Sequence, residues 1–526
     1  MKRWQNALCA LGAASLTIYC TNNGTETDNP AGPEGIELRR SNLTYLTDVE
    51  VSADDQQALC DANRAFALDL YGTVASAAAA DDNVFLCPIG IATVLSMTYA
   101  GARGDTATEM ASVLHWELSA DALHPAVNAL HQSLRAGTEN TAVRFDTVNS
   151  IWLAEDHATA DPFLDVLSQQ YDTGVYMVDF AGDAEGARQS INEWVGEQTN
   201  GLIEELFAEG AISPLTEVTL ANAAYLSAPW RDRFDPVSTE AGEFLLADGN
   251  AVDVPMMTRV YQYPFVFAVD WRAVELRFRD ANMGMVFVLP NEGEFEQFQA
   301  NLDGAQLEEI VTALEAAPTD GNTGTSLWLT VPRFEFDASV DLQQALEALG
   351  MQAAFDLSAA DFSGIDPGGS LYVDALVHRT TVGVDEEGTT AASATGEVMV
   401  PLSINPRINL NRPFIFFIYD HDTGTVLFLG RLVRPTGDAH APANPPDTRT
   451  DAEVICETLD EWCEGRTLTV ADCMAALAAE DPAVVDQCAD CQQMVIDFCA
   501  NGGSCPWGSN ICDPTTCADY CPSHAF

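Results

Sequence analysis

The chain has 526 residues, 47% of them hydrophobic, which is enough for a large core and predicts more than one domain. Asp and Glu number 79 against 23 Lys and Arg, so the formal net charge is −56 at pH 7, and Lys2 is the only lysine. Such a chain repels nucleic acid and anionic membrane surfaces and lacks the basic patch that a sulfated glycosaminoglycan needs, so we expect neither nucleic acid nor a glycosaminoglycan as a partner.

Residues 1–20 have the pattern of a signal peptide. Lys2 and Arg3 form a basic start, and Ala7–Tyr19 is an apolar stretch too short to span a membrane stably. Cys20 follows directly, which suggests a bacterial lipoprotein held by a membrane tether, although Tyr19 stands where a small residue is usual. Lipidation of Cys20 and simple cleavage both remain open. Either route predicts a protein that is secreted, periplasmic or held at the cell surface.

Residues 21–52 form a polar leader or tether, and residues 53–436 alternate helical and strand patterns without a long break. We predict a helix over Gln56–Ala77, then a short buried strand in NVFLCP and a helix in IATVLSMTYAGA. Further strands are predicted in VTLANAAYLS, MGMVFVLP, SLWLTVPRFEF, RPFIFFIYD and TVLFLGRLV. The last two flank a hairpin turn at His421–Gly424, and helices such as DLQQALEALG interrupt the strands. This order predicts an α+β domain with large antiparallel sheets.

The C-terminal part differs in composition. Residues 437–450 are rich in Pro, Ala and Asp and are interpreted as a linker, and residues 451–526 hold ten of the fourteen cysteines. An even number of cysteines in a short exported segment indicates a disulfide framework. A zinc site at Cys488 and Cys491 finds no matching histidine spacing. The ten cysteines are Cys456, Cys463, Cys473, Cys488, Cys491, Cys499, Cys505, Cys512, Cys517 and Cys521.

Motifs that are individually weak follow one another in register from Asn83 to Arg431. They are NVFLCP, GARGDTATEM, INEWV, TNGLI, LANAAYLSAPW, VPMM, FVLP, ADFSG, VDEEGTTAASAT, RPFIFF and GTVLFLGR. In this order they closely resemble the signatures of the serpin family of serine protease inhibitors. The resemblance implies an α+β serpin fold with three β-sheets, eight or nine helices and an exposed reactive-centre loop. It does not extend to the Cys-rich C-terminal tail.

The segment from Gly388 to Pro413 matches the reactive-centre loop of that family. Its first half contains small residues and neither proline nor aromatic residues, as suits a chain that leaves a loop and enters a sheet. Alternation places Thr389, Ala391, Ser393 and Thr395 on the face that turns inward, and Glu397 follows on the same face, where a buried carboxylate is costly. The alternative, a flexible Ala/Thr linker, does not account for the matching strands on either side. The hinge residues are Glu386, Glu387, Gly388, Thr389, Thr390, Ala391, Ala392, Ser393, Ala394 and Thr395.

The family's loop length implies that the reactive bond joins Leu402 and Ser403. A leucine there suits serine proteases with an apolar primary pocket, which are chymotrypsin-, subtilisin- or elastase-like; Arg407 lies past the loop apex, so trypsin-like targets are not expected. The resemblance implies inhibition by covalent trapping of the acyl-enzyme after the loop inserts into the main sheet. We therefore expect no enzyme activity, no catalytic residue, no cofactor and no metal, and we expect a monomer. The alternative is a non-inhibitory serpin acting as a binding, carrier or chaperone-like protein.

Several positions outside the loop also match the family. Asn222 and His378 match the hydrogen-bonded pair beneath the opening sheet, which is called the shutter. Glu386 and Arg333 match the salt bridge where the loop begins, called the breach, and Trp230 lies beside it.

Other positions depart from the family or leave alternatives open. Cys87 and Gly90 stand where serpins commonly carry serines, which removes hydroxyl groups from the region where the sheet opens. Cys60 and Cys87 either pair as a disulfide or remain two buried thiols. Asp420–Gly424 resembles the start of a calcium loop but lacks the remaining ligand pattern, so a plain turn is expected.

Overall fold

The computed structural model describes residues 36–199, 201–318, 325–389 and 405–435. These residues contain nine α-helices and three β-sheets, and no helix among them is long and apolar enough to cross a membrane. The predicted signal at 1–20, the first part of the leader, the linker at 437–450 and the Cys-rich tail at 451–526 lie outside the described residues. The helices are α1 (Ala53–Ala77), α2 (Pro88–Tyr99), α3 (Gly104–Val113), α4 (Ala120–Thr138), α5 (Asp161–Tyr171), α6 (Phe180–Gln198), α7 (Phe295–Ala300), α8 (Gly304–Glu315) and α9 (Gln343–Leu349).

The strands form three sheets, which we call A, B and C. Sheet A has the order β1 (Glu37–Arg39), β4 (Val175–Val178), β3 (Arg144–Ala154), β5 (Val218–Pro229), β13 (Val373–Val384) and β12 (Phe334–Asp341), with β14 (Gly388–Thr389) also paired to β5. Sheet B has the order β2 (Val84–Leu86), β17 (Thr425–Leu432), β16 (Phe414–Asp420), β10 (Met283–Pro290), β9 (Trp271–Arg277) and β8 (Phe265–Phe267). Sheet C has the order β15 (Arg407–Asn409), β11 (Leu327–Pro332), β7 (Ala251–Tyr261) and β6 (Thr239–Leu245).

Local sequence explains where the first helices begin. The Ser52 hydroxyl accepts the N–H of Asp55, so α1 begins at Ala53, three residues before the predicted start at Gln56. Asp54 and Asp55 lie in its first turn, where negative charge is favourable. In α2, Pro88 occupies the first turn and every residue from there to Thr98 is buried, as expected of a helix that is apolar on all sides.

Strand β5 is the centre of sheet A and is buried on both faces. Leu220, Ala224 and Leu226 belong to the main core, whereas Ala221 and Ala223 belong to a second cluster beneath α6. Five aromatic side chains complete that second cluster; they are Trp152, Tyr176, Phe180, Trp194 and Phe207. Because β5 is packed on both faces near the middle of the sheet, residues at its two ends are held in fixed positions.

The segment assigned to the leader contributes to the folded domain. Strand β1 lies within residues 21–52 and pairs antiparallel with β4, with Glu37 opposite Met177. Arg40 anchors the following residues through an ion pair of 3.0 Å with Asp172. Residues Glu37–Arg39 of the leader are therefore an edge strand of sheet A, while the domain boundaries given above stay predictions.

The structure resolves two alternatives left open by the sequence. Cys60 and Cys87 are both free and buried, so they are two thiols and not a disulfide, and burial raises the pKa of Cys87 to about 12. The turn between β16 and β17 is closed by Asp420, whose carboxylate accepts both the N–H and the hydroxyl of Thr423. This closure is that of a hairpin turn, as predicted.

Candidate functional site

The predicted hinge begins as a short strand inside sheet A. Gly388 lies opposite Pro229 and Thr389 opposite Ala228, in antiparallel pairing with the end of β5. Thr389 is 2% exposed, and its hydroxyl donates to the Ala228 carbonyl at 3.3 Å. At Gly388 a Cβ atom would lie 2.3 Å from that same carbonyl oxygen, so only glycine allows this approach. Thr389, predicted to be the first inward-facing residue, is thus already in the interior of the intact protein.

Below the hinge the sheet is closed. Strands β5 and β13 pair in parallel from Val218 and Val373 up to Ala224 and Thr380. Above that point β5 continues to Pro229 and receives β14. The hinge therefore occupies the upper end of the sheet, and a strand that followed it downward would have to separate β5 from β13.

Three consecutive carboxylates lead into the hinge, and each is less than one tenth exposed; they are Asp385, Glu386 and Glu387. The Glu386 carboxylate accepts the Thr239 hydroxyl at 2.6 Å and lies 3.5 Å from Nε of Arg333. The Glu387 carboxylate lies 3.0 Å from Nη1 of Arg233. The structure thus brings the predicted pair of Glu386 and Arg333 together at the breach, and it adds a second ion pair beside it.

Asp385 shapes the turn that precedes the hinge strand. Its carboxylate accepts the N–H groups of Glu387 and Gly388 at 2.8 and 3.0 Å, and burial raises its pKa to about 6. Its carbonyl oxygen accepts the indole N–H of Trp230 at 2.9 Å, and the Trp230 backbone N–H donates to the Glu387 carbonyl at 2.7 Å. Trp230 is 1% exposed, and its two hydrogen bonds hold this turn in position.

The predicted shutter pair is in direct contact. His378 is fully buried, and its Nε2 accepts the backbone N–H of Cys87 at 3.0 Å. Because Nε2 is an acceptor, Nδ1 carries the proton and donates to the Asn222 side-chain oxygen at 2.5 Å. Asn222 in turn donates to the Asn149 side chain at 2.6 Å. The network ties the start of α2 to strands β3, β5 and β13.

The two departures from the family pattern lie beside this network. A Cβ atom at Gly90 would lie 2.9 Å from the Asn222 side-chain nitrogen, so glycine leaves the amide the room that it occupies. Cys87 contributes its backbone N–H, which needs no hydroxyl side chain. The shutter is therefore held by one imidazole and two amides without the serine hydroxyls that the family commonly carries there.

Acid will destabilise the protein partly through His378. Burial lowers the pKa of His378 to about 3, whereas a histidine in the unfolded chain titrates near 6.5. The unfolded state therefore takes up the proton first, so this contribution to stability is lost as the pH falls below about 6.5, and the loss ends near pH 3. Between pH 7.5 and pH 5 the expected loss is about 2 kcal/mol. Denaturant unfolding of the parent and of a variant without this histidine, at both pH values, measures the contribution of His378.

The variant His378→Gln can replace both hydrogen bonds but does not titrate, so it should lose about 2 kcal/mol less than the parent over that interval. His115→Gln is the matched control, because His115 is a partly exposed histidine paired with Asp69. Equal losses in the parent and in His378→Gln would show that His378 is not the neutral buried group described here.

Sequence reasoning missed several groups of the site. Asp385, Thr239, Arg233 and Asn149 all contact the predicted residues but were not singled out. Asp385 could have been identified from the acidic run that ends at Glu387. Arg233 lies shortly after Trp230 in the chain, and no sequence pattern around it indicates a role in the site. Leu402 and Ser403 and the hinge residues from Thr390 to Thr395 lie outside the described residues.

The far end of the loop is also held. Arg407 belongs to β15, which runs parallel to β11, and its guanidinium lies 4.6 Å from the centre of the Trp328 ring. The reactive-centre loop of the sequence analysis is thus fixed at Thr389 in sheet A and at Arg407 in sheet C.

Residues 61–435 match the family model described as Serpin (serine protease inhibitor), and the chain therefore belongs to the serpin family. An uncharacterized serpin-like protein of Thermococcus kodakarensis is 34% identical over 421 residues, which cover 78% of this chain and 94% of that protein. The leukocyte elastase inhibitor of Bos taurus is 33% identical over 385 residues, covering 72% of this chain and 100% of the inhibitor. A solved structure of thyroxine-binding globulin complexed with thyroxine is similar with a TM-score of 0.65 at 27% identity, covering 72% of this chain and 100% of the globulin.

Proposed function

We propose that this serpin inhibits serine proteases by being cut between Leu402 and Ser403 and then inserting its loop into sheet A. The observation that carries the proposal is the position of Thr389, which is buried against Ala228 at the upper end of β5. In the intact protein, the first residue of the segment that would insert is therefore already paired within sheet A. The residues that follow in the chain, up to Thr395, are small enough to continue the strand without overpacking the interior.

The proposed mechanism is a race between two steps. The protease serine attacks the Leu402 carbonyl, the bond to Ser403 breaks, and Leu402 remains joined to the protease as an acyl ester. The freed loop then enters between β5 and β13 and carries the protease with it before water hydrolyses the ester. The serpin contributes no catalytic group to these steps. The small side chains of the hinge keep the insertion barrier low, and Glu397 is the residue whose burial opposes late insertion.

The proposed targets are proteases with an apolar primary pocket. Leu402 is an apolar side chain that such a pocket accepts. The nearest arginine along the chain, Arg407, is part of sheet C and stacks on Trp328, so it is not free to enter a protease pocket. The elastase inhibitor among the relatives is consistent with this class of target.

The decisive experiment incubates the full chain with chymotrypsin-, subtilisin- and elastase-like proteases and analyses the products by denaturing gel and mass spectrometry. We expect a complex that survives SDS and a released fragment that begins at Ser403. Cleavage at another bond would overturn the assignment of the reactive bond. Cleavage at Leu402 with no stable complex for any protease would favour the alternative function.

That alternative is a non-inhibitory serpin that binds or carries a ligand. The similar structure of thyroxine-binding globulin with bound thyroxine is an example of a serpin fold with a small ligand. Cleavage of such a protein at its loop is not expected to produce a trapped protease. The same gel therefore distinguishes the two functions.

The cleaved protein should be far more heat-stable than the intact protein. A loop that becomes a strand between β5 and β13 gains on the order of ten ladder hydrogen bonds, each worth about 1 kcal/mol net, which raises Tm on the order of 20 °C. Calorimetry before and after cleavage at Leu402 measures the change. Thr389→Arg cut at the same bond is the control and should gain less. Equal melting temperatures in the intact and cleaved parent would contradict loop insertion.

We also propose that the protein is exported and acts outside the cytoplasm. The basic and apolar start of the chain, Cys20 and the ten cysteines of the tail support this location. Mass spectrometry of the mature N-terminal peptide tests it, since a lipid on Cys20, a cleaved polar leader and an unprocessed Met1 have different masses. An unprocessed N-terminus in an expressing bacterium would contradict export.

A further inference from the structure

A second cluster of titratable side chains lies at the other end of sheet A from the hinge. Asp156 and His157 form the turn after β3, and Glu217 directly precedes β5. The hinge residue Thr389 pairs with Ala228 near the opposite end of β5. The cluster is therefore separated from the hinge by almost the full length of the strand, and neither its contacts nor its chemistry belong to the site described above.

A buried carboxylate orients the imidazole of this cluster. Nδ1 of His157 lies 2.9 Å from an oxygen of Asp366, and the second oxygen of Asp366 accepts the Gly368 N–H at 2.9 Å. A Cβ atom at Gly369 would lie 2.8 Å from Nδ1 of His157, so glycine lets the backbone close over this contact. Because Asp366 accepts the Nδ1 proton, Nε2 is the nitrogen that can bind a metal ion once its own proton is lost.

Two further carboxylates belong to the cluster. Nε2 lies 2.7 Å from an oxygen of Glu217, and the ligand atoms of Asp156, His157 and Glu217 all lie within 4.8 Å of one another. In the absence of a cation a proton must lie between Nε2 and Glu217. One imidazole nitrogen and two carboxylate oxygens, with the histidine positioned by a buried carboxylate, form a three-residue zinc set that leaves a fourth position for water.

The charge around the imidazole also favours a cation. Asp374 lies close by, since its carboxylate accepts the N–H groups of Glu217 and Val218 at 2.7 and 3.1 Å. Arg39 is the arginine beside the cluster, but its guanidinium donates to the His157 carbonyl at 2.8 Å and pairs with Glu37. Three carboxylates thus lie around one imidazole, with a fourth beside Glu217, and a divalent ion would reduce their mutual repulsion.

We propose that Asp156, His157 and Glu217 bind a divalent transition-metal ion, with zinc the ion that this donor set favours. Asp366 acts as the positioning residue for His157. Binding displaces the proton from Nε2 to solvent, and the ion then joins the turn after β3 to the start of β5. The sequence alone predicts no metal, because these three ligands are brought together only by the sheet.

The test is a titration of the full chain, freed of metal by a chelator, with zinc by calorimetry and with cobalt by visible absorption. The parent should bind one more equivalent of zinc than Asp156→Asn does. Asp156 is exposed, so this variant should fold as the parent does. Asp366→Asn should bind at the same site about 10- to 100-fold more weakly, since it removes only the positioning carboxylate. His115→Gln is the matched control and should bind as the parent does.

Any zinc bound by the cysteines of the tail is the same in the parent and in the variants, so the difference in zinc stoichiometry between them decides. Cobalt at the proposed site should give ligand-field bands without the thiolate charge-transfer band that a cysteine site produces. Equal zinc stoichiometry and affinity in the parent, Asp156→Asn and Glu217→Gln would overturn the proposal. Near-ultraviolet circular dichroism of each variant confirms that its fold is that of the parent.

Discussion

Under the proposed mechanism, replacing Thr389 with arginine converts the protein from an inhibitor into a substrate of its target protease. Thr389 is 2% exposed and is the last described residue of the hinge strand, so insertion must proceed through its position. A threonine is buried there with its hydroxyl bonded to the Ala228 carbonyl. An arginine would have to bury a charge, which costs several kcal/mol even after relaxation.

In the intact variant the hinge strand avoids this cost by leaving β5, so the cost falls on loop insertion, which must return the charged side chain to the interior. Each 1.4 kcal/mol added to the insertion barrier slows insertion about tenfold, while hydrolysis of the acyl ester by water is unchanged. We therefore expect at least a tenfold rise in the ratio of cleaved serpin to covalent complex. Binding to the protease should remain, because Pro401, Leu402 and Ser403 are unchanged.

The matched control is Thr389→Val, which keeps a β-branched side chain of similar volume and loses only the hydroxyl bond. It should form complex nearly as well as the parent does. The readout for both variants is the partition between cleaved serpin and complex on a denaturing gel at fixed protease. If Thr389→Arg partitions like Thr389→Val, insertion does not pass through this residue and the proposed mechanism is wrong for this protein.

Much of the fold was predictable because its strands carry strong local patterns. MGMVFVLP forms β10 from Met283 to Pro290 with no shift, and the two last strands flank the predicted turn. The residues of β10 are apolar at every position and those of the last two strands at most positions, as expected of strands covered on both faces. Strand β1, in contrast, is three residues of mixed polarity, and only its pairing with β4 makes it a strand.

The surroundings of the hinge were less predictable for a physical reason. Asp385, Glu386 and Glu387 form an acidic run that, judged by composition alone, should be a solvated surface. They are buried because Arg233, Arg333 and Thr239, all distant in the chain, converge on them. A single sequence does not show such convergence except through a family resemblance, which identified Arg333 and Glu386 but not Arg233.

The cluster around His157 illustrates the same limit. Its ligand residues lie in two separate parts of the chain, after β3 and before β5, and their spacing matches no local metal-binding pattern. What brings them together is the order of β3, β5 and β13 in sheet A. A site assembled at the ends of neighbouring strands becomes visible only when the topology is known.

Replacing Leu402 with arginine will redirect the inhibitor toward trypsin-like proteases. The primary pocket of a serine protease reads the side chain before the scissile bond, and a charged side chain in an apolar pocket is left without a partner. The penalty of several kcal/mol corresponds to a loss of at least about a hundredfold in the rate of complex formation with chymotrypsin-like enzymes. A trypsin-like pocket supplies the missing carboxylate, so inhibition of that class should appear.

Two further variants make this result specific. Leu402→Met keeps an apolar side chain of similar size and should retain the parental selectivity. Arg407→Gln should also leave selectivity unchanged, because Arg407 is held in sheet C against Trp328 and does not enter the primary pocket of the protease. The rates of complex formation with both protease classes measure the selectivity of each variant.

Unchanged selectivity in Leu402→Arg would place the reactive bond elsewhere in residues 390–404. A loss of complex with both classes would instead indicate that the substitution blocks insertion, which the ratio of cleaved serpin to complex would reveal.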